Sequence, residues 1–212
     1  MFIIDDTYFT GKINVPNQKE YNGSSVNAIE EYIQKYGRLF FRETLGNVLY
    51  KDLMENLNSE DGALLPNAAE KWVKLIDGTE YVKDGVTYTW LGIKGGSDLY
   101  KESVLAYFIY LNYFEITYFT GFSLAVTEAK NSTVINPSNH LVEIWNDFVG
   151  LYQGSCSYNP GIYFNSNEVI FKDYYHSNDS GFVSYMQFLL DNDTDYPKVS
   201  IKALQFKNSL GI

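Results

Sequence analysis

A run of apolar and aromatic residues from Val104 to Leu111 limits the possible folds of this chain most strongly. Its hydrophobic side chains lie on every side of a helix, so the helix has no water-facing stripe. Such a helix must be covered all round, either by its own domain or, on one side, by a neighbouring subunit. The run continues towards Val126, but Asn112 and Glu115 interrupt it before about 20 apolar residues accumulate. We therefore predict a buried helix and no membrane contact.

Apolar residues at helical spacing predict a long helical segment from Ser25 onwards. These positions are Val26, Ile29, Ile33, Tyr36 and Phe40, followed by Leu45, Val48, Leu49 and Leu53. Glycine lowers helix propensity by about 1 kcal/mol relative to alanine, and the segment contains Gly37 and Gly46. We expect a break near Gly46 that divides the segment into two helices.

Start and stop signals indicate two further helices. Asn67 is followed three positions later by Glu70, which is an asparagine variant of the capping box, and Gly78 marks the end of the helix that would follow. Pro137 opens the second helix. Its apolar stripe consists of Leu141, Trp145, Phe148 and Tyr152.

A β-hairpin is predicted over residues 80–90. Asp84-Gly85 lies between two runs of strand-forming residues, and this dipeptide supplies the positive φ angles that a two-residue hairpin turn requires. The register that follows places Tyr81 opposite Tyr88.

The whole pattern predicts an α+β fold that is predominantly α-helical. Residues 1–24 lack a helical period and are expected to form an extended arm, and residues 25–153 form the helical domain with its hairpin. Residues 154–212 read as a β-rich C-terminal extension. It contains the short β-like runs 169–171 and 198–206, with a short helix over 182–190 between them.

The net charge of -10 argues against a groove that grips nucleic acid, since phosphate binding depends on clustered lysine and arginine. An acidic surface can still line a channel through which DNA slides, because like charges prevent sticking. Cys156 is the single cysteine, so no intrachain disulfide is possible. With no leader sequence in view, we expect a reducing intracellular setting.

Aromatic residues make up 17% of the chain, including 19 tyrosines and 14 phenylalanines. An excess of this kind can fill a hydrophobic core. It can equally serve contact surfaces between proteins, where tyrosine combines apolar area with a hydroxyl. Composition does not decide between the two uses.

Reactive constellations are scarce in the sequence. The two histidines, His140 and His176, accompany no nucleophile elbow, and Cys156 beside either would be an unmotivated pairing. Asp191, Asp193 and Asp195 match the first ligand positions of a calcium loop. Tyr196 and Lys202 then occupy the positions of its glycine and glutamate, so a solvated turn is the better interpretation.

We therefore predict no catalytic residue, no cofactor and no metal site. Two alternatives stay open at this point. One is a small hydrolase or carbohydrate-active enzyme that uses unrecognised carboxylates. The other is a soluble binding module that recognises peptide or carbohydrate through exposed tyrosines.

Three stretches, Ile29–Ile33, Leu45–Gly46 and Leu49–Leu53, resemble the helical start of phage head-to-tail connector proteins. Further on, Trp72–Leu75, Trp90–Gly92 and Ala106–Tyr110 are similar to the versions in crAss-like and related Bacteroidales phages. The likeness covers about residues 25 to 152 and lies in the order of the elements rather than in a catalytic signature. The segment after Gly154 is not part of the pattern.

The resemblance implies a non-enzymatic, mainly helical adaptor in the neck of the virion, assembled in the host cytoplasm. Such a protein forms a ring, commonly a dodecamer, that docks on the portal and joins it to the tail. Double-stranded DNA passes through the lumen without specific binding. Because we expect the arm and the hairpin to be exposed, we assign them to contacts between subunits. The candidate interface residues are Phe2, Ile3, Ile4, Tyr8, Phe9, Tyr81 and Tyr88.

Overall fold

The computed structural model describes residues 2–15, 28–96, 101–119, 137–154, 181–199 and Leu204. Its helices are α1 (Ala28–Glu55), α2 (Glu70–Asp77), α3 (Val104–Phe119), α4 (Pro137–Gln153) and α5 (Tyr185–Asp191). Its strands are β1 (Thr79–Lys83) and β2 (Val86–Trp90), which pair as an antiparallel hairpin. The predicted class, α+β and mostly helical, is confirmed.

The break expected near Gly46 is present within α1. Gly46 has φ 75° and ψ 170°, a conformation outside the helical region that favours glycine. Across the break the buried positions Leu45, Leu49 and Leu53 recur every four residues and form a narrow stripe. Val48 lies outside that stripe and is 82% exposed, although its spacing had placed it with the apolar residues.

The start of α2 differs from the predicted capping box. The N-cap residue of α2 is Ala69, and its side chain forms no capping hydrogen bond. The side chain of Asn56 contributes instead, because its Oδ1 accepts a 2.7 Å hydrogen bond from the N–H of Ala69. The predicted end is confirmed: Gly78 follows α2 with φ 96°, where a Cβ would lie 2.6 Å from the carbonyl oxygen of Trp90.

The hairpin forms as its turn residues predict. Asp84 and Gly85 both have positive φ, at 52° and 79°, and Tyr81 pairs with Tyr88. A short stretch of the C-terminal segment lies along the other side of β2. The N–H of Thr89 donates to the carbonyl of Gly181 at 2.7 Å, and the N–H of Val183 donates to the carbonyl of Thr89 at 3.0 Å.

The first two turns of helix α3 are largely covered by its own chain, whereas Phe108, Leu111, Tyr113 and Phe114 are half-buried. Its buried residues are Val104, Leu105, Ala106, Tyr107, Ile109 and Tyr110. Helices α1 and α4 pack on it from two sides. At its start, the hydroxyl of Ser103 accepts from the N–H of Ala106 and donates to the carbonyl of Ile93. In the ranges that the structure describes, no helix combines the length and apolar character needed to cross a membrane.

The N-terminal arm is neither extended nor exposed over residues 2–15, and this expectation was wrong. Two short 3-10 turns, Asp6–Tyr8 and Gly11–Ile13, fold it against the helices. The reason lies in α1, where Gly37 leaves a gap that the ring of Phe2 fills. A Cβ at position 37 would lie only 2.5 Å from Cδ1 of Phe2. The arm residues proposed for an interface are all buried in the protomer's own core: Phe2, Ile3, Ile4, Tyr8 and Phe9.

The described part of the C-terminal segment joins the same core. Helix α5 confirms the short helix expected over 182–190, and its Tyr185 and Phe188 are buried together with Tyr196. Residues 16–24, the run 169–171 and most of 198–206 lie outside the described residues. The predicted boundaries at residues 24 and 153 and the β-rich character of the undescribed C-terminal residues therefore stay predictions.

Candidate functional site: the hairpin and its outer edge

Tyr81 and Tyr88 are the two predicted interface residues that remain near the surface. Both are half-buried, and their ring centroids lie 5.7 Å apart across the hairpin. Tyr81 also meets Phe188 of α5 edge-on, at 5.8 Å between centroids. One face of the hairpin is thus directed at the chain's own core.

The carboxylate of Asp191 fixes this face of the hairpin. It accepts hydrogen bonds from the hydroxyl of Tyr81 at 2.6 Å, from Nζ of Lys83 at 2.6 Å and from Nε2 of Gln187 at 2.7 Å. Its side chain is only 2% exposed, so three donors replace the water that it loses on folding. The hydrogen bond to Asp191 raises the pKa of Lys83, since it stabilises the charged amine.

The role of Asp191 was not predicted from the sequence, where we assigned this residue to a solvated turn. Asp193 and Asp195 do lie exposed after α5, as a solvated turn requires. Asp191 instead ends the helix and turns inward to donors more than 100 residues away in the chain. Only its spacing from Gln187, four positions along one helix face, offered a local signal.

Beneath the hairpin lies a layer of aromatic rings contributed by several elements. Trp90 stacks on Phe188 at 5.4 Å between centroids, and Tyr185 lies 5.3 Å from Phe40. The hydroxyls of Tyr185 and Thr44 share a 2.9 Å hydrogen bond, and burial raises the pKa of Tyr185. Many of the aromatic residues that the composition left unassigned are therefore used inside one protomer.

The opposite face of the hairpin is open to solvent. Val82 on β1 is 68% exposed, and Glu80, two residues earlier on the same face, is exposed as well. Val86, next to the turn, is 49% exposed as well, but it shares the other face with Tyr88 two residues later. Side chains alternate between the two faces of a strand. This alternation could have identified Val82, because it lies on the face opposite to that of Tyr81.

The residues considered for chemistry do not converge in the part of the chain that is described. Within it, no group of three or more His, Cys, Asp or Glu side chains is placed to hold a metal ion. His140 lies half-buried on α4, while Cys156 and His176 fall outside the described residues. The carboxylates of Asp191 and Asp193 also differ in setting, one buried and one exposed.

Comparisons of this chain with protein-family models, with curated proteins and with solved structures gave no match.

Proposed function

We propose that this protein is a structural subunit of the head-to-tail connector of a tailed bacteriophage. In this role it forms an oligomeric ring in the neck, docks on the portal and joins it to the tail. Double-stranded DNA crosses the lumen without specific binding. The protein needs no cofactor for this task and works through contacts between subunits.

The observation that carries the proposal is the order of elements over the region of resemblance. A long helix with a break at Gly46 is followed by the short α2, by the hairpin and by the apolar α3. The quoted stretches Trp72–Leu75, Trp90–Gly92 and Ala106–Tyr110 lie in α2, at the end of β2 and in α3 respectively. This arrangement is the mainly helical one that the resemblance implies.

Exposed apolar side chains offer the protomer surfaces for repeated contacts. Val48 near the break in α1 is 82% exposed, and Val82 on the hairpin is 68% exposed. A closed ring repeats one contact between two different patches of each subunit, so two separate patches suit this symmetry. We accordingly move the candidate ring contacts from the buried arm to Val48 and to the open face of the hairpin.

The charge of the chain is compatible with a DNA passage. A net charge of -10 leaves no excess of cations to hold a phosphate backbone. Acidic side chains around a lumen would repel the duplex and keep it moving.

Electron microscopy of the purified protein, alone and mixed with portal, tests this function. We expect closed rings in one or both samples, and ring density on the portal in the mixture. The variant Val48→Asp should reduce ring formation, whereas Asn47→Asp changes charge at the adjacent exposed position and should not. Compact monomers in both samples, with no density added to the portal, would contradict the proposal.

A further inference from the structure

The two edges of the hairpin differ in their hydrogen bonding. In an antiparallel pair, the backbone groups of successive residues point alternately towards the partner strand and away from it. Thr89 directs its N–H and C=O away from β1, since both bond to the stretch at Gly181 and Val183. Its partner Glu80 must then direct its own groups away from β2, and so must Val82 two residues later.

The outward groups of Glu80 and Val82 form an open strand edge. Among the described residues, the one bond to this edge is local, from the hydroxyl of Thr79 to the carbonyl of Glu80. A carbonyl oxygen has two lone pairs, so this bond leaves room for a second donor. The edge has no proline or bulge to block it, and Val82, one of its two outward residues, is exposed.

Natural proteins commonly protect such edges with an outward lysine, yet the lysine of this strand is used elsewhere. Lys83 extends over the inner face to the carboxylate of Asp191. On β2, by contrast, the equivalent edge is occupied by the Gly181–Val183 stretch. The sheet therefore has a single backbone bridge to a third segment along β2, and among the described residues no segment pairs with the outer edge of β1.

We infer that β1 pairs with β1 of a second copy of this chain, antiparallel, with Tyr81 on the two-fold axis. Glu80 of each copy then lies opposite Val82 of the other, and both outward residues exchange both backbone hydrogen bonds. The two hairpins then form one four-stranded antiparallel sheet.

Charge selects this register over its neighbours. A shift that pairs Glu80 with itself sets two carboxylates directly opposite each other, which is unfavourable. A shift the other way, which pairs Val82 with itself, brings Glu80 opposite the acidic Asp84 of the turn. A shift by an odd number of residues would place the outward backbone groups of one copy opposite residues whose backbone groups point inward, so the hydrogen bonds between the copies would not form. Only the register centred on Tyr81 opposes each carboxylate with an apolar residue.

This contact goes beyond the proposed connector role and does not depend on it. A two-fold contact joins identical patches, whereas a ring repeats a contact between different patches. Rings can be found without the β1 pair, and the pair can be found without rings, so either idea can fail alone.

Cysteine cross-linking of the full-length chain tests the register, in a Cys156→Ser background. Opposite residues of a hydrogen-bonded pair have Cα atoms about 5.5 Å apart, within the range that a disulfide spans. We expect a mixture of Glu80→Cys and Val82→Cys chains to form disulfide-linked dimers on oxidation. Either variant alone, or Glu80→Cys mixed with Thr87→Cys on β2, should give little product. Equal cross-linking in all mixtures, or none in the first, overturns the inference.

Charge substitutions at Val82 supply an independent test by sedimentation equilibrium. Val82→Glu places a carboxylate opposite Glu80 on both sides of the axis, so the dimer should weaken about tenfold or more. Val82→Lys creates two opposite-charge pairs and should retain or tighten it. Val86→Glu and Val86→Lys are the controls, because they make the same charge changes on β2, away from the outer edge of β1. The inference is overturned if the wild-type chain is monomeric throughout, or if the Val86 pair responds as the Val82 pair does.

Discussion

The hydroxyl of Tyr81 donates a 2.6 Å hydrogen bond to Oδ2 of Asp191, across 110 residues of sequence. The other oxygen of the same carboxylate accepts from Lys83 and Gln187. This carboxylate thus connects half-buried Tyr81 and exposed Lys83, both on β1, to the end of α5. It holds the hairpin in one orientation and keeps Tyr81 directed inward, which leaves the outer edge of β1 to face solvent.

Replacing Asp191 with asparagine should destabilise the protein by about 2 kcal/mol, because hydrogen bonds to a charged acceptor are stronger than those to an amide. Asp193→Asn removes the same charge from an exposed position two residues away and should change stability by less than about 0.5 kcal/mol. Urea unfolding of both variants measures the difference. Equal stability of the two would show that the buried carboxylate contributes nothing.

Alanine at Gly37 should undock the N-terminal arm. Its Cβ would lie 2.5 Å from the buried ring of Phe2, and overpacking of this kind typically costs about 1–3 kcal/mol. Gly150→Ala in α4 is the matched control, since its Cβ meets nothing within 4 Å. That change should stabilise by up to about 1 kcal/mol through helix propensity.

The Phe2→Ala background separates the clash from other effects of Gly37→Ala. Without the ring, the alanine should become neutral or stabilising, as in α4, and thermal unfolding of the four chains gives the coupling. Additive effects of the two substitutions would contradict the contact.

Stability should fall as pH rises above about 10, the ordinary pKa of tyrosine. Burial raises the pKa of Tyr185 and of Tyr196, so the unfolded chain releases their protons at a pH where the folded chain retains them. The stabilisation is complete below the unfolded pKa and declines above it, by up to about 1.4 kcal/mol per pH unit for each group.

Unfolding of Tyr185→Phe between pH 8 and 11 checks this dependence. The variant loses the bond to Thr44 and is less stable at neutral pH, but its decline above pH 10 should be shallower. Thr44→Val loses the same bond while retaining the phenol, and should keep the slope of the wild-type protein. Parallel curves for Tyr185→Phe and wild type would count against the linkage.

Two buried tryptophans should respond differently to phenylalanine. Nε1 of Trp90 donates to the carbonyl of Leu75 at 2.9 Å, whereas Nε1 of Trp72 is buried with no hydrogen-bond partner among the described residues. Both substitutions remove similar volume, but only Trp90→Phe removes a buried hydrogen bond, and the carbonyl of Leu75 then keeps the N–H of Ile93 as its donor. We expect it to cost about 1 kcal/mol more than Trp72→Phe in chemical unfolding.

Local chemistry predicted the elements whose causes are local. The Asp84-Gly85 turn fixed the hairpin and its register, and Gly46 marked the break in α1. The continuous apolar run placed α3 correctly, and the apolar stripe placed α4. Each of these signals acts within a few residues, so a sequence displays it directly.

The remainder depends on partners distant in sequence. Asn67 and Glu70 match the capping-box pattern. The side-chain hydrogen bond at the start of α2 comes from Asn56 instead, whose Oδ1 accepts from the N–H of Ala69. The arm lacks any period, so nothing in residues 2–15 predicts that Phe2 will meet the bare backbone at Gly37. Asp191 looked solvated because its donors Tyr81 and Lys83 are far away in the chain. The sequence also predicted the hairpin that carries the candidate contact surface. The interface residues that we chose on it, Tyr81 and Tyr88, lie on the face that points towards the core.

The position of Tyr185 determines when this protein can fold during its synthesis. Phe40 and Trp90 lie against that ring, so part of their cover leaves the ribosome long after they do. Until then a nascent chain presents these rings to chaperones and to other nascent copies. The aromatic layer around Phe40 and Trp90 is therefore complete only after α5 has been translated.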